Sequence, residues 1–160
     1  VTPDRDQWLH AIAACAVQLE RQTKCPAPLM VAQGAVESAW GERPIGKANY
    51  FGIKRAARHT QWCTVLTREV IHGQSVMEHL EFADYDNLEA ACADFAWLIT
   101  RSAAYAPAWQ RYQQTRDLDM LIAAVAHSYA TDPGYARLVG EVAHQANVRG
   151  AIEAAAEVVA

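Results

Sequence analysis

Residues 63–82 read CTVLTREVIHGQSVMEHLEF, and the fold turns on how this stretch is read. Its first half is rich in β-branched residues, its middle holds the turn-like HGQ, and its second half alternates apolar with polar side chains. Alternation with a period of two marks a strand, because successive side chains point to opposite faces. Two such runs about a short turn make a β-hairpin, with strands expected over Thr64–Ile71 and Ser75–Phe82.

On both sides the period changes to that of a helix. Asp4 or Asp6 can cap a first helix, in which Trp8, Ile12, Cys15, Ala16 and Leu19 share a face. Pro26 and Pro28 interrupt it, and a second helix is expected from about Pro28 to Trp40, stopped by Gly41. Residues 41–62 carry glycines and polar residues and read as irregular, with NYFGIK their most structured part. After the hairpin, Asn87 can cap LEAACADFAWLIT. Two further helical stretches follow, AYAPAWQRYQQ and DLDMLIAAVAHSY. Asp132 and Pro133 then stand as N-cap and first residue of another helix, and the alanine-rich RGAIEAAAEVVA has high helix propensity. No repeat, low-complexity linker or boundary divides the chain. The order of helices, one hairpin and helices again makes residues 1–160 one α+β domain, mostly helical, with a small β lobe.

A chain of 160 residues, 52% hydrophobic, has room for one proper core and is not disordered. Its net charge of -4 leaves no basic footprint, so nucleic acid is not expected as a partner. No apolar run reaches the ~18–20 residues needed to span a bilayer. No signal peptide opens the sequence, but it begins at Val1 rather than Met, so this says nothing about the compartment. The four cysteines, Cys15, Cys25, Cys63 and Cys92, form no CxxC and allow three full pairings. His59 and Cys63 have a spacing that a zinc ion tolerates, but the other histidines lack the paired spacing of a structural site, and neither metal nor cofactor is expected. His127 and Ser128 are adjacent without an evident orienting partner. Lys54, Arg55 and Arg58 form a small basic cluster, expected as a solvated loop, with an acidic polymer as the other partner it would suit.

One carboxylate is out of place. Glu37 lies at the end of the apolar run PLMVAQGAVESAW, between Val36 and Trp40. The negative end of the helix dipole and apolar neighbours both disfavour its charged form. A raised pKa is what a general acid needs near neutral pH. Gly34, one turn back, leaves space against the same helix. The competing reading is a solvated residue in a last helical turn.

Four motifs then occur in order: AVESAWG at 35–41, ANYFGIK at 48–54, TREVIHG at 67–73 and YATDPGYA at 129–136. Together they resemble glycoside hydrolase family 73, the glucosaminidase domain of bacterial peptidoglycan hydrolases and flagellar muramidases, over about Cys25 to Val139. The resemblance implies a lysozyme-like fold with a β-hairpin lobe beside a groove. It implies cleavage of the β-1,4 bond after N-acetylglucosamine in peptidoglycan glycan strands, with Glu37 as catalytic acid. It places a second acidic residue at Glu69, with Glu78, Glu81, Asp84 and Asp86 as alternatives, and leaves stereochemistry open. It implies that Asn49, Tyr50, Phe51 and Tyr129 bind substrate, although Phe51 also suits a core, while Asp132, capping the helix that Pro133 begins, reads as structural. Such a protein works at the cell wall, secreted or periplasmic. An antagonistic role would add an immunity protein or other inhibitor as partner. The alternatives are a muramidase or lytic transglycosylase on the same fold, and a non-catalytic wall-binding module.

Overall fold

A computed structural model describes residues 4–159 of the chain. Its elements are α1 (Arg5–Thr23), α2 (Ala27–Ser38), β1 (Trp62–Ile71), β2 (Gln74–Ala83), α3 (Leu88–Arg101), α4 (Ala106–Thr115), α5 (Leu118–Tyr129), α6 (Pro133–Ala143) and α7 (Ala146–Val159). A single 3-10 turn, Ala103–Tyr105, leads into α4. Caps set many of these boundaries. The side chains of Asp4, Asn87, Asp117 and Asp132 each accept a backbone N–H in the first turn of α1, α3, α5 and α6, where four donors have no intrahelical partner.

The hairpin forms where the alternation places it, with strands longer than expected. Trp62 pairs with Ala83 and Ile71 with Gln74. The turn consists of His72 and Gly73, both at positive φ (50° and 77°), as a two-residue turn that matches strand twist requires. The second helix differs more from expectation. It begins at Ala27 and ends at Ser38, not Trp40. Ala39, Trp40 and Gly41 all take left-handed φ values, of 51°, 60° and 85°. The Ser38 hydroxyl donates back to the Gly34 carbonyl (2.6 Å) and accepts from the Gly41 N–H (2.8 Å), which reverses the chain. A Cβ on Gly41 would lie 2.3 Å from the Trp8 ring, so no other residue fits there.

The core gathers around α2, in which Leu29 to Ala35 are buried without a break. Helix α1 packs against α2, α3 and α7, and α6 closes over α2 from another side. Phe51, fully buried, stacks on Phe95 of α3 at 4.5 Å between centroids, an arrangement worth ~0.5–1.5 kcal/mol beyond its buried area. Gly34 admits this packing. A Cβ there would meet Ile12 at 2.8 Å and the Phe51 ring at 3.2 Å. The space beside Gly34 is therefore filled by the core and does not receive a ligand.

Asn49 holds the irregular segment together. It is buried, its amide nitrogen donates to the carbonyls of Ile53 (2.9 Å) and Ala83 (2.8 Å), and its oxygen accepts from the N–H of Phe51 and Ile53 (both 3.2 Å). All four of its hydrogen-bonding positions are used inside the protein. Asn49→Ala would leave two buried N–H groups and two carbonyls without this partner. Chemical denaturation of this variant is expected to show a loss of about 2–4 kcal/mol, whereas a substrate-contacting asparagine would alter activity and leave stability near wild type.

Candidate active site

Glu37 is the next-to-last residue of α2 and is half-buried, where the central helix leaves the core. Its Oε1 accepts a short hydrogen bond from the Tyr135 hydroxyl of α6. The Tyr135 oxygen in turn accepts from Gln33 Nε2 at 2.8 Å, one helical turn before Glu37. Its Oε2 lies against Gly52, where a Cβ would come within 3.1 Å of that oxygen. Gly52 sits at φ +64°, so both backbone and space call for glycine.

Burial holds the Glu37 carboxyl above the ordinary carboxylate range, and the Tyr135 hydrogen bond pulls the other way. Burial first, then the neighbouring Glu37, drives the Tyr135 hydroxyl far up, so it stays a donor. With Oε1 engaged by Tyr135, the proton of the acid form belongs on Oε2.

From Gly52 a groove of about 470 Å³ runs along the surface. One wall carries Tyr105, Ser128 and Tyr129, and the other carries Ile53, Lys54, Ala56 and Arg58. Tyr129 stacks on Tyr135 at 6.4 Å, and burial pushes its hydroxyl well above the usual range, with Tyr105 and Glu37 adding in the same direction. Ser128 donates to the Val125 carbonyl at 2.6 Å and is hydrogen-bonded to the Tyr105 hydroxyl, so its oxygen serves the groove wall and does not pair with His127.

The residues expected at the site separate into groups. Glu37 and Tyr129 come together at the mouth of the groove. Asn49 and Phe51 lie inside the protein as loop staple and core aromatic, because one has its amide fully engaged and the other is wholly enclosed. Tyr50 turns away from the groove. It packs against Trp8 at 5.9 Å, and its hydroxyl is raised chiefly by burial, with Cys92 and Glu89 adding in the same direction.

Glu69 lies near the far end of β1, on the half-buried face it shares with Cys63, Val65 and Thr67, and Thr67 Oγ1 donates to it at 3.2 Å. The register places Glu78 on that same face, opposite Thr67. The other acidic candidates are engaged elsewhere. Glu81 pairs with Arg55 at 2.8 Å, and Asp86 with Lys47 at 3.5 Å. Asp84 accepts from the backbone N–H of Lys47 (2.9 Å), Ala48 (3.2 Å) and Tyr85 (2.9 Å). Among the described residues, no hydrogen bond or ion pair joins Glu69 to Glu37. His59 donates from Nε2 to Asp94 (2.9 Å) while Nδ1 accepts from the Ala56 N–H (2.8 Å), which engages both ring nitrogens. Asp84 and Asp132 bind backbone N–H groups, and Asp132 is the α6 cap expected of it.

Gln33, Gly52, Tyr105 and Tyr135 were not anticipated. The spacing of Gln33 and Glu37 by four put both on one helical face, and Tyr135 stands six residues after Tyr129 in the same motif. The long-range pairing of α2 with α6 has no local signature.

The sequence model of the family Glucosaminidase, described as mannosyl-glycoprotein endo-beta-N-acetylglucosaminidase, matches residues 13–148. The chain is 29% identical over 149 residues to the peptidoglycan hydrolase FlgJ of Escherichia coli, covering 89% of this chain and 47% of that protein. It is 25% identical over 154 residues to a probable N-acetylmuramidase of Lactococcus lactis, covering 92% of this chain and 35% of that one. The chain thus spans less than half the length of these curated relatives. A crystal structure of a peptidoglycan hydrolase mutant from Sphingomonas sp. A1 superposes with a TM-score of 0.74 at 27% identity, covering 93% of this chain and 99% of that one.

Tyr135→Phe removes the one interaction that lowers the Glu37 pKa and leaves burial unopposed. If Glu37 is the acid, the basic limb of the kcat/KM pH profile is expected to move to higher pH in this variant. A limb that stays in place or moves down would separate Tyr135 from the acid. Glu37→Gln tests the cost of the half-buried charge. A carboxyl whose folded pKa is raised contributes most to stability below its unfolded value, and that contribution is lost as pH rises through the folded value. The Gln variant is therefore expected to melt above wild type at pH 7, with the difference closing near pH 4.

Proposed function

The chain belongs to the glucosaminidase family, and we propose on that footing that it hydrolyses the β-1,4 bond after N-acetylglucosamine in peptidoglycan, with Glu37 as general acid. One observation carries the assignment. Glu37 is held toward its protonated form by burial, one oxygen is fixed by Tyr135, and the other lies against Gly52, which lines the groove. A carboxyl so arranged protonates the leaving glycosidic oxygen as the bond to the anomeric carbon breaks.

The oxocarbenium-like centre then needs an anion to stabilise it or a base to activate water. We assign this to Glu69, with Glu78 as the neighbour on the same hairpin face. Both stand on the hairpin and not on α2, and a site of this kind needs room for a water or a sugar ring between its two carboxylates. Tyr129 and Tyr105 supply hydroxyls and ring faces on the groove wall, and ring faces suit the apolar faces of pyranoses. The substrate is part of the cell wall, so the chain acts outside the cytoplasm. The similarity to a relative named as a probable N-acetylmuramidase makes cleavage of the alternate bond the second reading.

Purified peptidoglycan digested with wild type or Glu37→Gln, then reduced with borohydride and read by mass spectrometry, tests both. A new reducing end on N-acetylglucosamine is expected, with release slowed by about 10²–10⁴ in the variant. A reducing or anhydro end on N-acetylmuramic acid would move the chain to the muramidase or transglycosylase reading. Glu69→Gln is expected to lose activity without losing the fold, whereas full activity with an anhydro product would leave Glu37 acting alone.

A further inference from the structure

Three cations stand close together in the sequence at Lys54, Arg55 and Arg58. The structure gives them different surroundings. Arg55 is paired with Glu81 at 2.8 Å and lies over the Trp62 ring at 3.4 Å. Arg58 forks onto both oxygens of Asp94 (3.0 and 3.1 Å) and lies over Trp97 at 4.3 Å. Asp94 also accepts from His59 and Tyr85, so this carboxylate clamps the loop to α3. Lys54 is exposed and has no ion-pair partner among the described residues, and it lines the groove that begins beside Glu37.

The position of Lys54 is fixed although its side chain is free. Its segment runs against the end of β2, bridging Lys54 to Phe82, with the Ala83 N–H donating to Ile53 (3.0 Å) and the Arg55 N–H to Glu81 (3.0 Å). None of the residues lining the groove is acidic. The whole chain has a net charge of -4, so a single unneutralised ammonium on this wall is a local exception. A flexible ammonium of this kind favours a carboxylate over an uncharged sugar.

We infer that Lys54 is a specificity-determining residue that reads a carboxylate carried by the glycan strand, either on the lactyl ether of the acidic sugar or on its peptide stem. This rests on the reading of the chain as a peptidoglycan hydrolase. It assigns the groove wall at Lys54 to the acidic sugar and the wall of Tyr105 and Tyr129 to the ring faces. An exposed ion pair of this kind contributes little to stability, but it separates charged from neutral ligands by about five-fold in affinity.

The test uses the Glu37→Gln protein, slowed enough that a titration finishes before turnover, and three soluble ligands of equal length measured by calorimetry. These are stem-bearing glycan fragments, fragments stripped of stems by an amidase so that the lactyl carboxylate is free, and neutral β-1,4 N-acetylglucosamine oligomers. The acidic ligand that carries the carboxylate read by Lys54 is expected to bind about five-fold more tightly than the neutral one. Adding Lys54→Met should abolish that preference while leaving the neutral ligand's affinity unchanged, and Lys54→Arg should restore most of it. The lactyl carboxyl is tied up as an amide wherever a stem is present, so preference for the stripped ligand alone identifies the lactyl carboxylate, preference for the stem-bearing ligand alone identifies the stem, and preference for both means that the ammonium reads either carboxylate. Equal weakening of all three ligands by Lys54→Met, or a preference that survives it, overturns the inference. In that case wild type still releases N-acetylglucosamine ends and the hydrolase reading stands. Failure to bind any fragment, with no products from wild type, overturns both.

Discussion

The structure depends on a helix that is buried nearly to its end. Helix α2 is surrounded by α1, α3, α6 and α7, and Leu29 to Ala35 are shut off from solvent. Its backbone carbonyls are satisfied internally until Ser38, where a hydroxyl and three left-handed residues turn the chain out. Glu37 is carried at the point where this helix meets water. A carboxylate farther back would be too costly to ionise at all, and one farther on would be an ordinary surface acid. The packing that stabilises the protein therefore also sets the protonation of its central side chain. Tyr135 ties that side chain to α6, so two helices far apart in sequence determine one proton position.

Much of the fold was legible because it follows local rules. The hairpin declared itself by alternation and the helices by caps at Asn87 and Asp132, and the structure places both as expected. Helix α2 ends two residues before the stop that Gly41 predicts. The preceding residues, Ala39 and Trp40, already adopt left-handed conformations that their side chains disfavour. The Trp40 N–H bound to the Ala35 carbonyl (2.8 Å), the Arg43 N–H bound to the Ser38 carbonyl (2.8 Å) and the Gly41 N–H bound to the Ser38 hydroxyl (2.8 Å) hold them there, and the packing of Gly41 on Trp8 has no expression in a local window.

The site divides in the same way. Glu37 was visible because a charge breaks an apolar run. Asn49, Tyr50 and Phe51 stand beside one another in a motif, but proximity to a motif does not show which side of the chain faces the groove. Asn49 closes a loop, Phe51 fills the core and Tyr50 leans on Trp8, while Gly52, with no side chain, is the member of that stretch that touches Glu37. The basic cluster behaves likewise. Three charges alike in sequence differ because two meet carboxylates contributed by β2 and α3.

The hairpin joins the body only near its base, where Phe82 and Ala83 are buried and Lys54 bridges to β2, while the ten-residue strands run outward to His72 and Gly73. Its length is thus nearly independent of the helical body. A change in that length is subject to a parity rule. Removing or adding two residues per strand keeps Glu69 and Glu78 on the same face and moves them toward or away from the body, whereas a change of one turns them to the opposite face. The lobe is in effect an adjustable arm, able to reset the span between its carboxylates and Glu37 without disturbing the core that holds Glu37 in place.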